Sequence, residues 1–177
     1  MQDITVAVTL DSKTFRKFAI YDTLFRTKRL GKILVFTAIM LFFAVLSFLI
    51  GGGSASTLTA TLAGVGLFLP ILYLGTFLRS IRYQIERNGL RKGRYLYTLH
   101  FTNATDGIEV TDESGQKVRY EWDKLYGAYR HANCTYLYIV KSQAFLLPDA
   151  CVEVGADNLW AFFKQQLPAQ KLHNKKK

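Results

Sequence analysis

The sequence predicts a membrane α+β fold, in which a two-helix transmembrane hairpin is joined to a small antiparallel β domain closed by a C-terminal helix. Two observations lead to this prediction. No Asp, Glu, Lys, Arg or His occurs from Ile33 to Leu78, an interval that the segment Gly51–Ser56 divides into two apolar halves. After it, short β-branched and aromatic runs alternate with turn residues, and one amphipathic stretch follows near the end.

Residues 1–31 predict a strand and a basic amphipathic helix. The strand is Ile4–Leu10, where β-branched residues alternate, and Asp11 or Ser12 then caps the helix. The apolar face of this helix lies either on the membrane or against the cytoplasmic domain, and both interpretations remain open. Spacings of three and four define that face, which contains Phe15, Phe18 and Phe25.

Residues 32–79 predict the hairpin. The spans are about 33–50 and 57–78, because a hydrocarbon core of roughly 30 Å needs about 20 apolar residues in a helix. Small residues recur every fourth position in the second span, where they permit close helix approach, and a proline near its middle is expected to kink it or free a carbonyl. These predicted helix-packing positions are Ser56, Ala60, Gly64 and Pro70. Ala44 and Ser47 offer an opposing surface within the hairpin, and the alternative is a homo-oligomer.

Charge predicts the orientation. Lys and Arg flank both spans but are missing from the six-residue connection 51–56, so both termini are expected in the cytoplasm of a multi-pass cell-membrane protein. The basic residues beside the spans are predicted to meet anionic lipid headgroups. This predicted collar comprises Lys28, Arg29, Lys32, Arg79, Arg82 and Arg87.

Residues 80–170 predict the β domain. A turn at Asp112–Gly115 joins two strands, and a final helix begins near Gly155 with Trp160 flanking its apolar stripe. A basic tail, 171–177, is favoured as a disordered solvated end over a second lipid contact. The predicted strands are Ile81–Arg87, Tyr95–Thr102, Gly107–Thr111, Lys117–Trp122, Thr135–Lys141 and Gln143–Leu147.

Few residues suggest catalysis or cofactor binding. His131, Cys134 and Cys151 are too few for an ordinary zinc site, and a Cys–His pair lacks an evident orienting group. We therefore expect no metal, no cofactor and no enzymatic activity. A membrane enzyme could use several carboxylates for catalysis, but they follow no recognised spacing. These carboxylates are Glu86, Asp106, Glu109, Asp112 and Glu113. Basic and aromatic residues on the strands could bind nucleic acid. The core of a small sheet and a membrane-facing rim require the same residue types, so we disfavour nucleic-acid binding.

Four motifs resemble the YcxB-like family of bacterial membrane proteins. They are Gly107–Val110, Tyr120–Tyr126, Tyr136–Ile139 and Ala144–Pro148, in that order. The resemblance implies two adjacent membrane helices and a cytoplasmic domain similar to a pleckstrin-homology (PH) fold. It implies no common activity. The chain has Asp149-Ala150-Cys151 where the family often has basic residues, which argues against an anion site there.

The functional expectation is an integral inner-membrane protein that presents a PH-like interaction module. Its expected partners are the lipid bilayer and an unidentified membrane or cytoplasmic protein, so it would act as an accessory or regulatory component of a membrane complex. The alternative is a membrane-associated enzyme that acts on lipid or peptide at the cytoplasmic interface.

Overall fold

A computed structural model describes residues 3–51, 56–102 and 107–175. It divides into two compact units. The helical unit is Phe15–Asn88, and the β unit combines Met1–Thr14 with Gly89–Lys177. A hairpin of two long apolar helices, two β-sheets and a C-terminal helix together confirm the predicted α+β class.

The helical elements begin with α1, Ser12–Tyr21, which passes directly into a π-helical turn, Asp22–Arg26. The carboxylate of Asp11 accepts a hydrogen bond from the Thr14 amide at 2.9 Å, so Asp11 is the cap of α1. The long helices follow as α2, Arg29–Gly51, and α3, Ser56–Arg87.

The two long helices pack against each other along a narrow seam. The Thr59 hydroxyl donates to the Ser47 hydroxyl at 3.2 Å, and Ala44, three residues before Ser47 on α2, is buried. Gly66 is buried against Met40, whose Cβ lies 3.0 Å from where a Cβ on Gly66 would stand. Most other apolar side chains of both helices are exposed, as lipid contact requires.

Helix α3 is longer than predicted. The segment Ile81–Arg87 was predicted as a strand, and that prediction is wrong because the helix continues through it. Ile81 and Ile85 are buried and stand four residues apart, which places them on one helical face. Their alternation with Tyr83 also fits a strand, and a seven-residue window cannot separate the two periods.

The β unit contains two four-stranded sheets, with orders β1-β2-β3-β4 and β7-β6-β5-β8. Every pair is antiparallel except β5 with β8. The strands are β1 Ile4–Leu10, β2 Arg94–Phe101, β3 Gly107–Asp112, β4 Lys117–Glu121, β5 Gly127–His131, β6 Cys134–Val140, β7 Gln143–Pro148 and β8 Leu172–Lys175.

Strand β8 was not predicted. The tail from residue 171 was expected to be a solvated end, but Leu172–Lys175 pairs in parallel with β5. The ring of His173 stacks on Tyr129 at 4.4 Å. The sequence of β8 has little strand propensity, so this pairing comes from tertiary contacts. Lys176 and Lys177 lie outside the described residues.

The first strand belongs to the β unit although most of the chain separates it from its partner. Strand β1 pairs with β2, and Leu10 stands opposite Arg94. Residues 11–93, which include both long helices, are therefore an insertion in the connection between two adjacent strands. The sequence predicted both strands but not their pairing.

One tyrosine links the two sheets. The Tyr97 hydroxyl on β2 donates to the carbonyl of Leu146 on β7 at 3.2 Å and accepts from the Leu146 amide at 2.8 Å. Burial raises the pKa of Tyr97, so this hydroxyl stays protonated.

An aromatic cluster joins the first sheet to the last helix, α4, Ala156–Gln166. Phe101 packs with Trp122, Phe162 and Phe163 at centroid distances of 5.4 to 6.2 Å. Trp160 was expected beside the apolar stripe of α4, but it is buried within it. The predicted turn at Asp112–Gly115 is confirmed.

Candidate functional site at the membrane boundary

The packing register of the hairpin places the collar residues before α2 and those near the end of α3 at about the same height along the hairpin axis. Met40 and Ser47 are seven residues apart on α2, and they face Gly66 and Thr59, which are seven apart on α3. Continuing this antiparallel register for twelve residues brings Lys28 level with Leu78, the residue before Arg79.

The collar residues surround this level. Lys28 has a left-handed backbone, with φ of 49°, between the π-helical turn and α2. The side chains of Lys28, Lys32, Arg79 and Arg82 are exposed. Arg29 begins α2, and its side chain lies outside the described part of the molecule.

Arg87 stands apart from the other collar residues. Eight residues of continuous helix separate it from Arg79, a distance of about 12 Å along the axis. Headgroup layers are roughly 5–7 Å thick on each side of the hydrocarbon core. The structure therefore groups the other collar positions and leaves Arg87 farther along α3.

A groove of about 640 Å³ runs along this part of α3. Its lining is amphipathic, because the guanidinium groups alternate with apolar and aromatic side chains. The lining residues are Gly75, Leu78, Arg79, Arg82, Tyr83 and Glu86. Such a surface suits the boundary between acyl chains and headgroups, where aromatic rings and long cationic side chains span the change in polarity.

The predicted small-residue positions lie mostly away from this packing seam. Ser56, Ala60 and Gly64 are exposed, and a Cβ on Gly64 would meet no described atom within 4 Å. The hairpin uses Gly66 instead, with Pro70 half-buried on the same side. Packing of the exposed positions against a second copy of the chain stays a prediction.

A second cleft, of about 870 Å³, lies in the β unit beside the end of β4 and the end of α4. Its charged side chains are already compensated in part. The Lys171 ammonium donates to the carbonyl of Asp123 at 2.6 Å, and Lys124 pairs with Glu121 at 2.8 Å. The cleft is lined by Arg119, Glu121, Trp122, Asp123, Gln166, Pro168 and Lys171. Both signs of charge are present, so the lining does not define a simple anion site.

Three of the carboxylates considered for catalysis bind neighbouring groups of the β unit, while Glu86 is exposed on α3. Lys117 binds Glu109 at 2.7 Å and lowers its pKa, and Arg94 binds Glu113 at 2.5 Å. Asp112 accepts bonds from the turn that follows it, and the hydroxyl of Ser114 is the main cause of its lowered pKa. Asp106 lies outside the described residues.

His131 and Cys134 face each other across the β5–β6 hairpin. The thiol of Cys134 is buried, and this burial is the main cause of its raised pKa. Such a thiol is a poor nucleophile at neutral pH. Within residues 3–51, 56–102 and 107–175, no group of three or more His, Cys, Asp or Glu side chains could hold a metal ion.

A buried arginine on β5 pairs with carboxylates of the loop after β7 and of α4. Arg130 is 5% exposed, and its guanidinium binds Asp157, in the first turn of α4, at 2.5 Å and Asp149 at 3.9 Å. The Asp157 side chain is largely exposed whereas that of Arg130 is not, so only the carboxylate side of the ion pair faces solvent. Asp149 therefore serves an internal ion pair.

Comparison with protein-family models, with curated proteins and with solved structures finds no match for this chain. The class follows from the fold itself. Two helices, Leu30–Gly51 and Ser56–Arg87, are long and apolar enough to cross a membrane, and they bury little of their surface within the protein. These properties indicate a membrane protein.

Proposed function

We propose that the protein is a two-span inner-membrane protein that presents its β unit in the cytoplasm as an interaction module, without enzymatic activity of its own. The pairing of β1 with β2 carries this proposal. Two strands of one sheet must lie on the same side of a membrane, so the chain between them crosses it an even number of times. Two spans meet this condition, whereas one span does not.

The collar supports the cytoplasmic orientation. Lys28, Arg79 and Arg82 flank the spans at nearly one level, and Lys and Arg near spans are retained on the cytoplasmic side. Each is worth about 1 kcal/mol near an anionic surface. Both strands that adjoin the hairpin then lie in the cytoplasm, together with the termini.

The β unit supports the role of the module. Two four-stranded sheets together with the packed helix α4 support the PH-like domain that the YcxB-like resemblance implies. The aromatic cluster around Phe101 and Trp122 belongs to its core, so packing explains these residues without catalysis. An accessory or regulatory role in a membrane complex fits a chain whose functional surface is cytoplasmic.

Charge variants at the collar test the orientation. We expect Lys28→Glu with Arg79→Glu and Arg82→Glu to invert part of the population, because the positive bias beside the spans is lost. The matched comparison is between the single variants Arg79→Glu and Arg87→Glu, which make the same charge change about 12 Å apart along α3, and Arg87→Glu should invert less of the population. Accessibility of a C-terminal tag to protease in sealed inside-out vesicles measures the orientation.

Co-purification tests the role. The full chain is isolated in mild detergent and analysed by mass spectrometry for a stoichiometric protein and for bound lipid. A defined protein partner supports the accessory role. Turnover of a lipid or peptide by the pure chain would contradict the accessory role. An unchanged orientation of the triple variant would contradict the proposed topology.

A further inference from the structure

The segment from Ser12 to Lys28, here called the elbow segment, joins the β unit to the first span. It contains α1, the π-helical turn and Lys28. Lys28 has a φ of 49°, and α2 begins at the very next residue. One left-handed residue therefore changes the chain direction between the elbow segment and the membrane-spanning helix.

The elbow segment exposes a large apolar ring close to the predicted membrane surface. Phe25 is 54% exposed, and its ring stacks on the buried Tyr21 at 6.0 Å. The uncharged interval of the first span begins at Ile33, only eight residues later. An exposed Phe ring on a basic amphipathic segment beside a span matches interfacial helices, whose apolar face carries Trp, Phe or Leu.

The charge of the elbow segment complements an anionic surface. Lys13, Arg16 and Lys17 are exposed on α1. The single acidic residue between Ser12 and Lys28 is Asp22, whose carboxylate binds the Arg26 guanidinium at 2.5 Å. That pairing reduces the repulsion that a free carboxylate would create near anionic headgroups.

Most of the elbow segment belongs with the hairpin rather than with the β unit. From Phe15 onwards it falls in the compact helical unit, and the π-helical turn contacts α2. The exposed Phe25 therefore belongs to the same compact unit as the exposed apolar span that follows. This placement favours a bilayer as its occupant over the surface of the β domain.

We propose that the elbow segment lies in the headgroup layer of the cytoplasmic leaflet, with the Phe25 ring at the acyl boundary and anionic phospholipid as its ligand. This inference rests on the proposed membrane insertion and adds a defined lipid-binding segment to it. Membrane binding, and not packing on the cytoplasmic domain, then accounts for the amphipathic pattern of α1.

Tryptophan fluorescence of the full chain in nanodiscs tests the proposal. The two native tryptophans, Trp122 and Trp160, are buried in the β unit and provide a constant background. Phe25→Trp adds a probe to the elbow segment. Phe42→Trp adds a matched probe to α2, where the native ring is 63% exposed. The discs contain brominated phosphatidylcholine, with or without phosphatidylglycerol.

For Phe25→Trp we expect blue-shifted added emission that brominated lipid quenches, and stronger quenching with phosphatidylglycerol. Replacing Lys13, Arg16 and Lys17 by Gln should remove that difference, because each cation changes the ratio of bound to free segment by up to about fivefold. Blue-shifted emission without quenching would mean packing on protein and would overturn the proposal.

Red-shifted emission that aqueous iodide quenches would overturn it as well, since the ring would then lie in water. Quenching of Phe42→Trp in the same discs shows that the spans are inserted. If Phe42→Trp is quenched and Phe25→Trp is not, this inference alone fails. If neither is quenched, the proposed membrane insertion fails with it.

Discussion

Substitution of Gly66 by Ala should loosen the hairpin, whereas the same substitution at Gly64 should not. A Cβ on Gly66 would stand 3.0 Å from the Cβ of Met40, well inside the 3.5–4.0 Å at which carbon atoms attract each other. The Cβ of Met40 is fixed to its backbone, so a change of rotamer cannot relieve the contact. The helices must therefore move apart by a few tenths of an ångström.

The cost follows from two opposing effects. Overpacking of this kind costs about 1–3 kcal/mol, and Ala gains about 1 kcal/mol over Gly in helix propensity. Gly64→Ala has the propensity gain alone, because no described atom lies within 4 Å of its added Cβ. The difference between the two variants therefore isolates packing, and it corresponds to about 5- to 150-fold in the opening equilibrium.

Cross-linking across the seam measures this equilibrium. Ser47→Cys and Thr59→Cys replace two hydroxyls that lie 3.2 Å apart, in a shared background of Cys134→Ala and Cys151→Ala. The disulfide yield is followed as SDS is added to mild detergent. Gly66→Ala should lose the cross-link at lower SDS than Gly64→Ala. Equal midpoints for the two variants would refute the register and the close approach at Gly66.

Three further predictions concern the β unit in the full chain. Asp157→Ala should destabilise it by about 1–3 kcal/mol, because the buried Arg130 guanidinium keeps only the more distant Asp149 as a partner. Arg130→Met should cost less, because it leaves no buried cation. Near-UV circular dichroism during thermal unfolding compares the two variants. Tyr97→Phe should cost about 1–3 kcal/mol in the same assay, since the buried Leu146 amide loses its acceptor. The pKa of Asp112 is lowered from 3.8, so the Asp112 carboxylate stabilises the turn fully above pH 3.8 and loses this effect as the pH falls through its lowered pKa. NMR titration of the turn amides should show this transition, and Asp112→Ala should abolish the transition.

Much of the architecture could be predicted because strong periodic signals carry it. The uncharged interval from Ile33 to Leu78 identifies the hairpin by length and composition alone. Asp112–Gly115 marks a turn because Asp accepts local amide bonds and Gly115 adopts a φ of 80°. These features depend on neighbouring residues and can be read from a short window.

The remaining features depend on contacts that no short window contains. Strand β8 forms because β5 offers it an edge, and Trp160 is buried because α4 uses a wider face than its Leu and Phe stripe suggests. The same holds for the candidate site. Composition shows that Gly64 and Gly66 are small, but only the register between the helices shows that Gly66 meets α2. Likewise, the continuation of α3 as a helix to Arg87 places that residue farther along the axis than the other collar residues.

The insertion of the hairpin between β1 and β2 sets an order of events during synthesis. Strand β1 leaves the ribosome first, but its partner is made only after both spans, so Ile4–Leu10 must wait as an unpaired strand. Closing this connection brings together residues more than eighty positions apart, as with Leu10 and Arg94. Folding of the β unit is then a late event that follows membrane insertion, and a chain that fails to insert both spans would leave an apolar strand edge open to aggregation.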